Sequence, residues 1–113
     1  PLEAFVGVIR HNADVPGLVQ LYSRLAVDAT DAEHAAHDFF VERFASDRTE
    51  ITAAIAAEQR AGRIGADLDP ARLASVILAA ADGLQTQWLL DPSIDMAAHL
   101  EELWRALTSG AGR

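Results

Sequence analysis

The stretch between Asp69-Pro70 and Asp91-Pro92 constrains the fold of this 113-residue chain more than any other segment. It predicts a helix with apolar side chains around almost its whole circumference, since even the consecutive positions Val76, Ile77 and Leu78, which point about 100° apart, are all apolar. A helix that is apolar all round is expected to be buried all round. A chain this short rarely encloses one helix completely, so we expect a second copy to cover the surplus face.

The composition favours a single all-α domain. Half of the residues are hydrophobic, alanine is abundant, and four prolines and seven glycines interrupt the sequence. Alanine and leucine lead the order of helix propensity, and the length fits one modest core. The formal net charge of −8, with no lysine, would repel phosphate backbones and anionic lipid, so we expect this chain alone to bind neither nucleic acid nor a membrane. The absence of cysteine excludes disulfides and thiolate chemistry.

Turn signals divide the chain into five predicted helices. Pro16 is predicted to be the first residue of the second helix, and Thr30 is predicted to begin the third in a capping box with Glu33. Asp69 and Asp95 are predicted to cap the fourth and fifth helices, and Gly62 is predicted to end the third. The predicted helices cover approximately 2–11, 16–28, 31–61, 70–90 and 96–107.

These helices predict a five-helix orthogonal or antiparallel bundle. We expect the last two helices to form an intersubunit four-helix bundle with their counterparts in a second copy. Gly83, in the middle of the fourth helix, is costly there and is explained by close approach of another backbone. Asp82 and Gln87 would then lie at the rim of the seam or pair across it. The predicted interface residues are Leu73, Ile77, Ala80, Gly83, Leu84, Met96, Leu100, Leu103, Trp104 and Leu107.

No residue pattern predicts catalysis. The chain contains no phosphate-binding glycine loop, no Gly-x-Ser-x-Gly elbow and no His-Glu-x-x-His motif. His34 and His37 have a spacing that can share a metal ion, and a zinc site would need a further ligand such as His11, but solvated or pocket-rim side chains are the favoured explanation. We therefore expect no catalytic residue, no metal ion and no cofactor.

Large aromatic side chains predict a small-molecule site. Phe39 and Phe40 point about 100° apart on their helix, so both cannot serve one core face. Core filling is the simpler interpretation of each ring taken singly. Several rings around a void, with a few polar groups, would instead form the usual mainly apolar ligand pocket. The predicted pocket residues are Phe5, Tyr22, Phe39, Phe40, Phe44, Gln85 and Trp88.

Four stretches resemble the C-terminal effector domain of TetR-type (tetracycline-repressor-like) transcriptional regulators. The first is HDFFVERF at 37–44, followed by IAAEQRAGRI at 55–64. The others are LDPARLA at 68–74 and AADGLQTQWLLDP at 80–92, which is similar to the penultimate helix of many members. The similarity spans roughly residues 14–107, and no single motif in it is diagnostic.

The resemblance implies a cytoplasmic bacterial repressor. In that family an N-terminal helix-turn-helix unit binds operator DNA, while the C-terminal domain binds a small effector and forms a homodimer through its last two helices. The chain begins at Pro1 rather than Met, so we expect a processed or truncated chain that lacks the DNA-binding unit. Residues 1–113 would be one ligand-binding and dimerisation domain, with operator DNA as a partner only through the missing unit.

Two other interpretations remain open. The competing interpretation is a free-standing helical module that dimerises or binds a partner helix without any ligand. A small helical enzyme is the third interpretation. An upstream basic helix-turn-helix segment of about 50 residues in the intact gene would distinguish the regulator from the other two.

Overall fold

Five α-helices make up the regular structure of residues 2–109, the part of the chain that the computed structural model describes. No strand occurs in this part of the chain, which confirms the prediction of an all-α five-helix bundle. The helices are α1 (Leu2–Ala13), α2 (Leu18–Asp28), α3 (His37–Arg60), α4 (Pro70–Leu90) and α5 (Met96–Thr108).

Helix α4 is the centre of the bundle and packs against α2, α3 and α5. Ile55, near the end of α3, lies in one cluster with Ala74, near the start of α4. Asp47, near the middle of α3, lines a cleft together with Gln85 from the second half of α4. Residues later in α3 therefore meet residues earlier in α4, and the two helices run antiparallel.

Two apolar clusters lie along α4 and form the core. The first joins α1 and α5 to α4 through Ala81, and the second joins α3 and the loop residue Ile64 to the first half of α4. Helix α1 packs mainly on α5 and also contacts α2 and α3. The buried members of the first cluster are Leu2, Val6, Ile9, Ala81, Met96, Ala97 and Leu100. The buried members of the second are Ile51, Ile55, Ile64, Ala74, Ile77 and Leu78.

Helix α4 has one buried face and one exposed face in the single chain. Ala74, Ile77, Leu78 and Ala81 are buried at three- and four-residue spacing. The opposite face is open, and two of its side chains, Val76 and Leu90, are 60% and 84% exposed. The single chain therefore leaves part of α4 uncovered, as expected for a chain this short, and coverage of that face by a second copy stays a prediction.

The caps of α4 and α5 are as predicted from the sequence. The carboxylate of Asp69 accepts hydrogen bonds from the backbone N–H groups of Ala71 and Arg72. The carboxylate of Asp95 accepts one from Ala98 at 3.0 Å. Each carboxylate satisfies backbone donors that the first turn of a helix leaves without an intrahelical partner.

The predicted starts of α2 and α3 are wrong. Pro16 lies in the turn before α2, because Gly17 follows it with φ +77° and that conformation cannot belong to a right-handed helix. The hydroxyl of Thr30 donates to the carbonyl of Val27 at 2.7 Å, so Thr30 closes the end of α2. It does not form a capping box with Glu33, and α3 begins at His37.

Helix α4 is the one helix within residues 2–109 that is long and apolar enough to cross a membrane, judged by length and composition alone. The central helix of a bundle satisfies the same criteria. Of the most apolar 18 residues of α4, 22% are buried in the single chain, and the helix also carries the polar residues Asp82, Gln85 and Gln87.

Candidate functional site

A cleft of about 350 Å³ opens between α1, α2, α3 and α4. Its size falls within the range of small-molecule sites. Its lining combines apolar side chains with charged and polar side chains, which are together called the polar wall here, so the cleft is amphipathic. The apolar lining comprises Phe5, Val8, Ile9, Leu18, Val19, Phe39, Phe44, Leu78 and Ala81, and the polar lining comprises Asn12, Tyr22, Arg43, Asp47, Asp82 and Gln85.

Four aromatic rings form a connected group behind and along one wall of the cleft. Phe40, which is buried, lies at its centre. Its ring meets Tyr22 and Phe39 edge to face, with centroids 5.1 Å away in both cases, and lies 6.4 Å from the ring of Phe44. Phe40 therefore fixes the positions of the three rings that line the cleft.

The polar wall contains one cation and two carboxylates. Nε of Arg43 lies 3.4 Å from Oδ2 of Asp47, one helical turn later on α3. Asp82 projects from α4, and burial together with the negative charge of Asp47 raises the pKa of its carboxyl to about 6. Burial also raises the pKa of Asp47, although Arg43 opposes that effect. Asp82 is thus the most strongly perturbed acid of this wall.

Burial raises the pKa of the Tyr22 hydroxyl as well, with Arg43 opposing the shift.

A second cleft of about 280 Å³ adjoins the first along α2 and α4. Tyr22, Phe44, Asp82 and Gln85 line both clefts and so stand between them. The amide oxygen of Gln85 accepts a hydrogen bond of 3.4 Å from the hydroxyl of Ser23. A ligand larger than the first cleft therefore has a direction in which to extend.

The structure brings five of the seven predicted pocket residues into the cleft lining. These five are Phe5, Tyr22, Phe39, Phe44 and Gln85. Phe40 lies behind the wall, and Trp88 packs against the core cluster of α1 and α5 instead.

Sequence reasoning missed both carboxylates of the cleft. It placed Asp82 at a dimer seam, whereas the structure places it in the cleft with Asp47. Asp82 follows Leu78 by four residues and precedes Gln85 by three, so helical spacing alone assigns these three residues to one face. The Arg43-Asp47 pair likewise has the four-residue spacing of an ion pair on one helix face.

Three of the ten predicted interface residues face the interior of the single chain. Ile77, Met96 and Leu100 are only 3%, 4% and 3% exposed, so they have no surface to offer a second copy. The apolar line of α5 is used for packing on α1 and α4. The half-buried members of the predicted set are Leu73, Ala80, Leu84, Leu103, Trp104 and Leu107, and Gly83 is the exposed one.

The two histidines considered as metal ligands are engaged by backbone groups between α2 and α3. Nδ1 of His34 accepts a hydrogen bond from the backbone N–H of Ala36, and Nδ1 of His37 bonds the carbonyl of Ala29 at 2.7 Å. Within residues 2–109 no group of three or more His, Asp or Glu side chains is arranged to hold a metal ion. These hydrogen bonds stabilise the segment that connects α2 to α3.

No protein-family model matches this chain, and no curated protein or solved structure matches it significantly. The fold and the cleft therefore define its class on their own. It is an all-α bundle with an amphipathic, aromatic-lined cleft between four of its helices.

Proposed function

We propose that this chain is the effector-binding and dimerisation domain of a TetR-like bacterial transcriptional repressor, acting in the cytoplasm. The observation that carries the proposal is the aromatic cleft, which forms where the resemblance implies an effector pocket. Its size and mixed lining suit a small organic ligand, and its walls come from four separate helices. The domain has no catalytic role in this proposal and reaches operator DNA only through an upstream helix-turn-helix unit.

A ligand in this cleft acts by favouring one arrangement of the helices over another. It changes the equilibrium only by as much as it binds the two arrangements differently. Helix α1 is the element of the cleft nearest the start of the chain, where the resemblance implies a DNA-binding unit. Movement of α1 relative to α4 is therefore the proposed route from ligand to DNA-binding unit.

The exposed face of α4 is the proposed dimer surface. It carries Val76, Ala79, Gly83 and Leu90 at three-, four- and seven-residue spacing. Small residues let two backbones approach closely, and the two large apolar side chains gain burial when a second copy covers them. This surface differs from the set predicted from the sequence, since α5 contributes its apolar side chains to the interior.

Ligand screening tests the proposal. Thermal unfolding is measured with a panel of small organic molecules that spans cationic, neutral and anionic compounds. A ligand that occupies the cleft binds only the folded chain and raises the midpoint, by mass action. The same compound has to lose its effect on Phe44→Ala or Tyr22→Ala, whose side chains line the cleft. If no compound raises the midpoint of the unmodified chain, the sensing function is wrong.

The alternative is a free-standing helical dimerisation module without a ligand. The exposed apolar face of α4 favours it, because that face needs a partner whether or not the cleft is used. Such a module dimerises but gives no ligand-dependent shift in midpoint. Sedimentation together with the ligand screen therefore separates the two functions.

A further inference from the structure

The charges that line the cleft do not balance. Arg43 and Asp47 form an ion pair on α3, which leaves Asp82 of α4 as an additional negative charge. Within residues 2–109, no hydrogen bond or ion pair engages the carboxylate of Asp82. The walls of the cleft therefore carry one cation and two anions, with one anion uncompensated.

Charged and titratable groups reach Asp82 from two of the helices around it. Helix α3 contributes Arg43 and Asp47, and α2 contributes Tyr22. Helix α1 contributes Phe5, together with other uncharged side chains, and so brings no cation to the cleft. The one guanidinium present is held by Asp47, so no group of the chain itself neutralises Asp82.

The uncompensated carboxylate lies among aromatic rings. Tyr22 and Phe44 line the same two adjoining clefts as Asp82, and Phe5 and Phe39 extend the aromatic lining of the larger one. Aromatic rings attract cations through their negative faces, and they provide apolar surface for the body of a ligand. An acceptor-only carboxylate beside such rings matches one chemical type, an apolar body that carries a positive charge.

We propose that the cleft binds a lipophilic organic cation, with Asp82 as its counter-ion and the Tyr22 and Phe44 rings against its apolar body. The proposal rests on the ligand-binding function proposed above and specifies its ligand class. A neutral apolar ligand would remove water from Asp82 without replacing its hydrogen bonds, which costs free energy. An anion would be repelled by Asp82 and Asp47. It could form an ion pair with Arg43 only by competing with Asp47, which already pairs with that side chain.

The protonation of Asp82 supports this assignment. Its pKa of about 6 means that the carboxylate is mainly ionised at pH 7 and mainly protonated at pH 5. A bound cation stabilises the ionised form, so binding near pH 6 releases protons to the solvent. A permanently charged ligand should therefore bind more weakly as the pH falls from 7 to 5.

Three aryl compounds of similar size and different charge provide the test. Tetraphenylphosphonium is a permanent cation, triphenylphosphine oxide is neutral and tetraphenylborate is a permanent anion. Dissociation constants are measured by titration calorimetry at pH 7 and, for the cation, also at pH 5. We expect the cation to bind at least about tenfold more tightly than either of the others, which corresponds to one charge-assisted contact.

Variants assign the selectivity to Asp82. Asp82→Asn keeps the size of the side chain and is expected to weaken binding of tetraphenylphosphonium about tenfold and to remove most of its pH dependence. Glu42→Gln is the matched control, because it makes the same change in net charge at an exposed position of α3 outside the cleft lining. Thermal unfolding verifies that each variant is folded. Asp47→Asn is a further variant, which removes the other carboxylate of the cleft lining.

The outcomes separate the ligand class from the function. If all three compounds bind with similar constants and lose affinity in Phe44→Ala, the cleft is a ligand site and the cation assignment is wrong. If none of the three compounds binds, the cation assignment is wrong, and the sensing function is decided separately by the screen of the wider panel described above. If Asp82→Asn and Glu42→Gln reduce cation binding equally, the overall charge of the chain produces the selectivity and Asp82 is not the counter-ion.

Discussion

The rings of Tyr22 and Phe40 meet edge to face, with centroids 5.1 Å apart and planes inclined at 64°. This contact joins the middle of α2 to the first turns of α3. Phe40 is buried while its neighbour Phe39 remains 57% exposed at the mouth of the cleft. Two adjacent phenylalanines therefore have separate roles, because one supports the wall of the cleft from behind and the other forms part of its surface.

Replacing Phe40 with alanine should destabilise the chain strongly. Deleting a buried phenylalanine removes its transfer free energy and leaves a cavity, and the expected loss is about 3–4 kcal/mol in the free energy of unfolding. Phe39→Ala is the matched control and should cost less than about 1 kcal/mol, since its ring is largely solvated. Urea unfolding of the two variants measures both values. Equal losses would contradict the separate roles of the two rings.

Helix boundaries were predictable where a side chain caps the helix. They were unpredictable where the conformation of the preceding turn determines the residue at which the helix begins. Asp69 bonds the first free N–H groups of α4, and this local interaction is visible in the sequence. Thr30 has the same capping potential, but its hydroxyl bonds backward to Val27. Whether Thr30 caps α3 or bonds back to α2 depends on the conformation of the segment between the two helices. The hydrogen bond between His37 and the carbonyl of Ala29 stabilises that conformation. That contact joins residues eight positions apart and has no signature in local spacing.

The cleft was predictable in its aromatic part and unpredictable in its charge. Large rings on an alanine-rich frame indicate a void, and five of seven chosen residues line it. The error at Asp82 arose because α4 was taken to be covered on every side by helices and a second copy. On that assumption, a polar residue within the apolar sequence of α4 could be placed only at the interface between two copies. The structure shows that the helices leave a cleft on that side, where Asp82 remains half-buried.

The α4 cap provides a direct test of local stability. Asp69→Ala removes the acceptor of two backbone N–H groups and should lower the free energy of unfolding by about 1 kcal/mol. Asp69→Ser keeps a capping oxygen and should recover most of that loss. Thermal or urea unfolding of the three proteins measures the difference. An alanine variant as stable as the serine variant would show that the cap contributes nothing to the fold.

The raised pKa of Asp82 predicts an unusual dependence of stability on pH. Because its folded pKa of about 6 exceeds the ordinary 3.8, protonation favours the folded chain. The contribution is fully present below about pH 4 and is lost as the pH rises through 6. The two-unit shift corresponds to somewhat under 3 kcal/mol, which partial exposure reduces to about 1 kcal/mol.

Asp82→Asn should therefore be more stable than the unmodified chain at pH 7 and should lose that advantage near pH 4. Urea unfolding at several pH values measures the difference between the two proteins, so that the other carboxylates cancel. Glu42→Gln, at an exposed site on α3, serves as the control and should give a nearly constant difference. An Asp82→Asn advantage that does not change between pH 4 and pH 7 would contradict the raised pKa.

Gly83 tests whether the exposed face of α4 meets a second copy. A Cβ atom added at Gly83 would meet no atom within 4 Å in the single chain. In a monomer, Gly83→Ala should therefore raise the free energy of unfolding by about 0.5–1 kcal/mol, since glycine is costly within a helix. In a dimer with closely approaching α4 helices, the added methyl group would separate the backbones and weaken association. Sedimentation at micromolar concentration and urea unfolding distinguish these results, and we expect the second.

Gly7 provides the matched control, because it also lies within a helix and an added Cβ would meet nothing within 4 Å. Gly7→Ala should stabilise the chain by a similar amount without changing its state of association, since α1 lies outside the proposed surface. Leu90→Glu places a charge on the same face as Gly83 and should shift the chain toward monomer, because burying an unpaired carboxylate is costly. If Gly83→Ala behaves as Gly7→Ala does, and Leu90→Glu leaves a dimer intact, then the two copies meet elsewhere and the glycine has no role in association.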